Sequence, residues 1–342
     1  MAGRRTNLAL LVVLALATAT GALSYALGTA PVRVAVVAHG ICGISAVVLA
    51  PWKSVVVRRG FARRDAHRGG ARRRGAWPAI GLAVLLVVSV LAGVLHAVGV
   101  AQLGAVTAMQ VHVGAALALV PLAVWHVAVR PVPPRRTDLS RRNLLAAGGV
   151  FGAAAVAWIG LEATIAAVGA RGATRRSSGS YETGSGRPDE MPVTQWLDDD
   201  VPSLDREAWR LTIRDARGQR TVAHADVDRD RAAVTAVLDC TGGWYAEQRW
   251  EGTPVAALVD PPADARSILV TSTTGYARRF PIRDLPALLL ATRAGDQLLS
   301  AGHGAPARIV APGRRGFWWV KWVATIETST RPWWLQSPFP LT

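Results

Sequence analysis

The sequence predicts a membrane α-helical bundle of about five transmembrane helices followed by an α+β domain. Five apolar stretches are each long enough to cross a bilayer, which takes about 20 residues. They lie near residues 7–28, 32–51, 77–100, 105–130 and 143–169. After residue 190 the composition changes to short alternating runs of apolar and polar residues with many tryptophans, which are typical of strands. The 342 residues therefore divide into a membrane half and a half that folds in water.

Positive charge predicts how the helices are oriented. Arg4 and Arg5 precede the first stretch, and basic loops follow the second and the fourth, whereas the opposite connections carry little charge apart from Arg33. The loop residues are Lys53, Arg58, Arg59, Arg63, Arg64, Arg68, Arg72, Arg73, Arg74, Arg130, Arg135, Arg136, Arg141 and Arg142. Because basic loops stay in the cytoplasm, we expect a multi-pass protein of the cell membrane whose C-terminal domain is extracytoplasmic. Membrane lipid is the expected partner of this charge, and no nucleic acid is expected, despite the net charge of +16.

Residues 1–135 contain a repeat of helix pairs. A shift of 73 residues superposes His39 on His112, Trp52 on Trp125, and Lys53 on His126. Two imidazoles at matched depth on facing helices can bind a b-type haem from both sides, so His39 and His112 are candidate iron ligands. His96 is a further candidate, and His126 is one without an inner partner, because Lys53 occupies the equivalent position. Alternatively, these histidines cap helix ends or lie at the membrane interface, although ionisable residues within spans more often have a function.

Residues 136–170 hold a second signal beside the fifth helix. Ser140-Arg141-Arg142-Asn143-Leu144-Leu145 precedes an apolar span and looks like a twin-arginine export signal. A domain that receives its cofactor in the cytoplasm must cross the membrane folded, which such a signal allows. Alternatively, the two arginines only anchor a helix end. Residues 171–190 are rich in Arg, Ser and Gly and predict a flexible linker to a domain at 191–342.

Within that domain, the stretch around Cys240 is a candidate functional site. An apolar run ends at Cys240 and meets two glycines, which predicts the end of a strand entering a tight turn. A thiolate offered from such a turn is a soft ligand, suited to a metal that brings most of its own coordination. The alternative is a buried, inert cysteine. Further along, residues 284–292 predict a helix that begins near Asp284.

Three motifs resemble the molybdopterin-binding domain of the sulfite oxidase family. They are Cys240-Thr241-Gly242-Gly243-Trp244, Trp250-Glu251-Gly252-Thr253-Pro254, and residues 303–313 followed by Gly316 and Val320-Lys321-Trp322-Val323. The resemblance covers roughly residues 190–342. It implies a sulfite oxidase-type α+β domain that binds molybdopterin, with Cys240 as the molybdenum ligand.

The resemblance also implies further site residues. Thr241 and Gly242 flank the ligand, and His303, Arg308 and Lys321 match the family's motifs and are candidate cofactor contacts. Arg308 is alternatively a structural ion-pair partner. Tyr276 follows a polar turn and is a candidate for a catalytic position near the substrate, with a plain loop as the alternative.

The activity implied by this resemblance is oxygen-atom transfer at molybdenum. The membrane half resembles small cytochrome b-type domains, and bacterial relatives that pair such a subunit with a molybdopterin subunit reduce sulfoxides, including oxidised methionine. We therefore expect a membrane-anchored reductase of a small oxidised-sulfur substrate, fed by the quinol pool or another donor through the haem. The alternatives are a sulfite-type oxidase, or a non-catalytic exported docking domain on a haem-bearing membrane protein.

Overall fold

The computed structural model describes residues 3–27, 32–65, 77–100, 102–103, 106–195, 199–229 and 231–337. The chain forms two compact units. The membrane unit comprises Met1–Ser24 and Ala30–Gly179, and the C-terminal domain comprises Tyr25–Thr29 and Ser180–Thr342. Residues 66–76 of the predicted basic loop after the second helix, including Arg68 and Arg72, lie outside the described residues.

Five helices of the membrane unit are long and apolar enough to cross a membrane. They are α1 (Arg4–Ala26), α2 (Val32–Asp65), α3 (Trp77–Val98), α4 (Ala108–Val129) and α5 (Arg141–Ala167). Many of their apolar side chains are exposed, such as Val156 at 71% and Leu117 at 68%, which suits contact with lipid. The five helices and the domain that follows confirm the predicted fold class.

Contacts at one end of the membrane unit join the start of α1 to two other helices. Arg4 donates to Asp138 Oδ2 (2.6 Å) in the connection between α4 and α5. Lys53 Nζ, in α2, donates to Asn7 Oδ1 (2.9 Å). At the other end, strands β1 (Gln102–Leu103) and β2 (Val106–Thr107) link α3 to α4 as a short antiparallel pair. The charge pattern predicts that the start of α1, the basic end of α2 and the connection after α4 lie on one side, and these contacts join them.

The structure describes residues 171–190, the stretch predicted as a flexible linker, and gives it defined contacts. Residues 171–179 pack on the membrane unit, where Arg175 Nη1 donates to the carbonyl of Ala97 (3.1 Å) and a Cβ on Gly172 would overlap the same carbonyl. From Ser180 onward the chain belongs to the C-terminal domain, because strand β3 (Tyr181–Glu182) pairs in parallel with a long strand at Trp244–Pro254. The domain thus begins at Ser180 rather than at residue 191. The polar composition of this stretch does not predict its backbone pairing or its close packing. Small residues such as Gly172 permit that packing.

The C-terminal domain contains two mixed sheets. The first is built on β7 (Trp244–Pro254), which pairs with β6 (Ala232–Asp239), β10 (Leu289–Ala294) and β3; β11 (Gln297–Leu298) and β12 (Arg308–Val310) pair with β10. The second has the order β5-β4-β13-β8-β9. Its strands are β4 (Arg210–Asp215), β5 (Gly218–Ala223), β8 (Ser267–Ser272), β9 (Ala277–Pro281) and β13 (Val323–Ser329). One hydrophobic core takes side chains from both sheets, including the fully buried Trp250, Ile268 and Leu290.

Two short helices complete the domain, α6 (His224–Val227) and α7 (Val255–Leu258). The helix predicted at residues 284–292 is wrong: Ile282–Ala287 is a 3-10 helix, and the chain continues as strand β10. Pro286 lacks an N–H and prevents an α-helix from continuing, and the following Leu289–Ala294 run is buried between β7 and β12. Gly252 of β7 lies so close to the carbonyl of Leu290 that no side chain fits there.

Candidate functional site

An open cavity of the C-terminal domain brings most of the sequence-predicted site residues together. It contains about 680 Å³ of empty space, part of which opens to solvent. Six of the predicted residues line it: Cys240, Thr241, Tyr276, His303, Arg308 and Lys321. The first and the last of them, Cys240 and Lys321, are 81 residues apart in sequence, so the fold brings them to one cavity. The predicted Gly242 belongs to the turn behind Cys240.

The turn after β6 orients the Cys240 sulfur. The backbone N–H of Cys240 donates to the carbonyl of Trp244 (2.9 Å), and the N–H of Gly243 donates to the carbonyl of Cys240 (3.2 Å). Gly243 has φ 90°, which strongly favours glycine. The N–H of Gly242 points at Cys240 Sγ (3.3 Å). The turn therefore holds the sulfur in one position and gives it one fixed donor.

A buried network holds the backbone of Cys240 from behind. Asp239 and Arg315, 4% and 3% exposed, form an ion pair, and Arg315 Nη2 also donates to the carbonyl of Cys240 (3.3 Å). Ser180 Oγ donates to Asp239 Oδ1 (2.6 Å). Gly316 lies so close that a Cβ would sit 3.1 Å from the Cys240 Cα. Sequence reasoning missed this network, because Ser180 and Arg315 carry no local signal and lie far from Cys240 along the chain.

The protonation of Cys240 depends on whether a metal is bound. Burial raises the pKa of the thiol, while the N–H of Gly242 and the nearby cations of Arg315 and Lys321 partly counteract this. A buried thiol of this kind stays protonated until a bound metal displaces the proton. The arrangement suits a metal ligand better than a free nucleophile.

Arg308 is the residue of the cavity most suited to an anion. It is 1% exposed, and its guanidinium carbon lies 5.1 Å from the ring centroid of Trp250 and 5.6 Å from that of Trp319. Its Nη1 donates to the carbonyl of His303 (3.0 Å). Its Nη2 donates to the carbonyl of Trp319 (3.4 Å), and within the described part of the chain its Nε has no hydrogen-bond partner. Burial lowers the pKa of Arg308 to about 10, so it is a cation at neutral pH with donors left for a ligand.

Lys321 is used differently. Its Nζ donates to the carbonyls of Thr194 (2.8 Å) and Gly302 (2.6 Å) and to Gln195 Oε1 (3.2 Å). An ammonium group has three donors, and these three bonds employ them all. Burial, with a smaller contribution from Arg308, lowers the pKa of Lys321 to about 7. Lys321 therefore ties two segments of the cavity wall together.

His303 also holds the wall. Its Nδ1 bonds Ser300 Oγ (2.9 Å) and its Nε2 donates to the carbonyl of Met191 (3.1 Å). Burial lowers the pKa of His303, which favours the neutral imidazole. Both ring nitrogens are thus engaged by the chain, and His303 contributes to the site through its carbonyl bond to Arg308.

Tyr276 lines the cavity, but its hydroxyl donates to the carbonyl of Phe317. Burial raises the pKa of Tyr276, so the phenol stays protonated. Its single proton is therefore directed to the main chain, and the geometry gives Tyr276 a part in the wall rather than in proton transfer. Trp322, beside Lys321, has φ 50°, an uncommon value for a tryptophan, and such strain concentrates at functional sites.

In the membrane unit, His39 of α2 and His112 of α4 face each other. Their Nε2 atoms are 3.4 Å apart and their ring centroids 5.6 Å apart. Each Nδ1 bonds a backbone carbonyl of a neighbouring helix, that of Ala17 for His39 (2.9 Å) and that of Ser89 for His112 (2.7 Å). A carbonyl accepts only from an N–H, so each Nδ1 carries the proton and both Nε2 lone pairs point toward one place. This is the tautomer that binds a metal through Nε2.

The other two predicted histidines are not part of this pair. His96 Nε2 donates to the carbonyl of Gly179 (2.8 Å) and so fastens residues 171–179 to α3. His126 lies 14 residues beyond His112 on α4, about 21 Å away. Lys53, its equivalent in the repeat, bonds Asn7.

The cavity residues fit a molybdopterin cofactor, and the main observation behind this is the environment of Arg308. Arg308 is a deeply buried cation with unused donors, which an anionic group such as a phosphate would satisfy. Cys240, held at the same cavity, supplies the thiol ligand that a metal carried by such a cofactor requires. Thr241 lines the cavity beside it, whereas Lys321 and His303 shape the wall that holds Arg308.

A comparison with family models agrees with this assignment. Residues 198–336 match the family model of the oxidoreductase molybdopterin binding domain. The crystal structure of the sulfane dehydrogenase SoxCD from Paracoccus pantotrophus is similar, with 23% identity and a TM-score of 0.37 over 38% of this chain. The match spans 40% of the SoxCD chain, less than half of its length. No curated protein matches the sequence. Residues 198–336 are a sulfite oxidase-type molybdopterin-binding domain.

Proposed function

We propose that the chain reduces sulfoxides by oxygen-atom transfer in the cavity beside Cys240, with electrons that arrive through a b-type haem in the membrane unit. The observation that carries this proposal is the buried Cys240 thiol at a cavity that also holds the unpaired cation of Arg308. The overall reaction takes one sulfoxide, two electrons and two protons and gives one sulfide and one water. A quinol or another membrane-soluble donor supplies the electrons.

The chain's own residues would divide the work as follows. Molybdopterin-bound molybdenum supplies the two-electron oxygen-transfer chemistry. Cys240 binds the metal as a thiolate, and Arg308 neutralises the negative charge of the cofactor. Lys321 and His303 keep the segments at 191–195 and 300–304 in place around it.

The lining of the cavity favours an organic substrate over a small anion. Aromatic side chains form much of its wall, among them Trp244, Phe317 and Trp319. A sulfite anion would need cationic donors outside the cofactor site, but the donors of Lys321 are already taken by backbone and side-chain oxygens. Sulfoxide reduction is therefore preferred to sulfite-type oxidation.

The haem proposal rests on the His39–His112 pair. Metal–imidazole bonds are about 2 Å long, so an iron bound on both sides needs Nε2 atoms about 4 Å apart. The observed 3.4 Å requires a shift of only about 0.6 Å. Gly21 and Gly93 lie beside the two rings, and a Cβ at either position would come within about 3.0 Å of an imidazole atom. Two lone pairs that face each other also repel unless a cation lies between them.

The orientation of the domain follows from charge. The contacts of Arg4 with Asp138 and of Lys53 with Asn7 support a common side for the N-terminus and the basic ends of α2 and α4. Basic ends stay in the cytoplasm, so α5 would deliver the C-terminal domain to the extracytoplasmic face of the cell membrane. Export of the folded domain by the Ser140-Arg141-Arg142 signal is consistent with a cofactor that is inserted in the cytoplasm.

Purified, molybdenum-loaded protein should reduce an organic sulfoxide with a reduced viologen donor at least about tenfold faster than it oxidises sulfite with a matching acceptor. The expectation follows from the aromatic wall of the cavity and from the engaged donors of Lys321, since a site selects an anion such as sulfite only where it has free polar partners for it. Spheroplasts that are intact should reduce a membrane-impermeant sulfoxide as fast as lysed ones. Faster sulfite oxidation would favour the alternative reaction. Loaded protein that does neither would favour a non-catalytic docking domain.

Changing His39 or His112 to alanine should each remove the haem absorbance of the purified membrane protein, because one axial bond cannot replace the pair. His126→Ala is the matched control on α4 and should retain the absorbance. Absorbance spectra of dithionite-reduced protein with pyridine quantification measure the haem per chain. No haem in the unaltered protein, or loss in the His126 variant alone, would contradict the assignment.

A further inference from the structure

The cavity is charged unevenly, with one acidic residue among several basic ones. Asp199 is the one carboxylate among the cavity-lining residues of the described chain, whereas Arg308, Lys321 and His303 supply its basic groups. Asp199 keeps part of its surface exposed, while Arg308 is 1% and Cys240 9% exposed. The acidic group therefore lies nearer the mouth, and the cationic anchor lies at depth.

The turn between β8 and β9 fixes the position of Asp199. Thr274 Oγ1 lies 3.3 Å from Asp199 Oδ2 and 3.2 Å from Ser272 Oγ, either of which can accept its proton, and the N–H of Thr274 donates to Ser272 Oγ (3.2 Å). Gly275, with φ 90°, closes the turn. Ser272 also lines the cavity, so the hydroxyl oxygens on this side of the mouth lie near the carboxylate of Asp199.

A carboxylate in this place has a chemical consequence. A carboxylate repels anions, so the phosphate of a bound cofactor would be held by Arg308 rather than beside Asp199. An ionised carboxylate accepts hydrogen bonds and donates none. A group that binds beside it must therefore carry N–H donors or positive charge, and at the mouth that group belongs to the substrate.

We propose that Asp199 selects the substrate, by binding the protonated amine of an amine-bearing organic sulfoxide. The inference rests on the proposed sulfoxide chemistry for the identity of the reacting group. Thr274 is a positioning residue for the carboxylate. The sulfoxide end reaches toward Cys240, and the amine stays at the mouth.

The test compares three methyl propyl sulfoxides that differ only at the far end of the propyl chain, which bears an amine, an alcohol or a carboxylate. In the loaded full-length protein the amine should have the highest kcat/KM. Asp199→Asn should lower the ratio of kcat/KM for the amine to that for the alcohol by about tenfold or more, because a charge-assisted hydrogen bond is lost. The same variant should improve the carboxylate relative to the alcohol.

Asp200→Asn is the matched control, since it removes the same charge from an exposed neighbour outside the cavity lining and should leave both ratios unchanged. An equal effect of Asp199→Asn on all three substrates would overturn the inference. Loss of molybdenum or pterin from this variant would also overturn it, because Asp199 would then serve the cofactor.

Binding of the three corresponding sulfones, which are not reduced, separates this inference from the proposed function. Calorimetry on the loaded protein should give the tightest binding for the amine sulfone, weakened about tenfold or more by Asp199→Asn. If no sulfoxide is reduced but this charge preference holds, the proposed reaction fails and Asp199 remains the selecting residue. Binding that ignores charge, or no binding of any sulfone, overturns the inference.

Discussion

Cys240→Ser should lower oxygen-transfer activity by at least about 100-fold, since replacement of groups that only support a metal ligand already costs about 10–100-fold. A serine hydroxyl is a harder ligand than a thiolate and gives up its proton far less readily. The turn at Gly242 and Gly243 would still present the side chain to the cavity, so the change removes the sulfur and little else. Molybdenum per chain and the initial rate with a sulfoxide measure the effect.

Cys42→Ser is the matched control for this change. Cys42 is the other cysteine of the chain and lies in α2, in the membrane unit, so its replacement should preserve the molybdenum content and the rate. A Cys240 variant that keeps a full complement of molybdenum and more than a tenth of the activity would refute the assigned ligand. A comparable loss in both variants would point to a general effect of cysteine removal.

The sequence was sufficient where the signal is local. Apolar length alone predicted the five spans, and an apolar run that stops at Cys240 before two glycines predicted the strand and its turn. The histidine pair was found because the repeat relates two positions 73 residues apart, and the structure brings those two rings together.

The sequence was insufficient where a residue's partners are distant or belong to the main chain. Lys321 and His303 have the types expected of phosphate contacts, but their donors are taken by oxygens of residues 191–195 and 300–302, which no local pattern reveals. The polar stretch at 171–190 predicts a flexible linker, whereas the backbone of Tyr181 and Glu182 pairs with β7. Residues 284–292 had helical spacing, but burial between two strands decided in favour of β10.

Distance along the sequence also prevents prediction of the ion pair between Asp239 and Arg315, which holds the backbone of Cys240. Changing either partner alone should destabilise the domain by about 3–5 kcal/mol, because the remaining charge is buried without a counter-charge. For a domain of this size, this corresponds to a fall of roughly 6–20 °C in the melting temperature. Asp239→Asn and Arg315→Met are the two single variants. Thermal unfolding of the purified chain, followed by tryptophan fluorescence, measures the change.

A double variant and a variant of an exposed ion pair are the controls for these single changes. Asp239→Leu combined with Arg315→Met removes both charges and should be more stable than either single charge removal, since no uncompensated ion remains. Glu190→Gln breaks the exposed pair of Arg187 and Glu190, whose side chains are 58% and 48% exposed, and should cost at most about 1 kcal/mol. If the buried single variants melt no lower than Glu190→Gln, the ion pair does not stabilise the fold. If the double variant recovers stability but not molybdenum, the pair acts on the site by holding the backbone of Cys240, to which Arg315 donates directly.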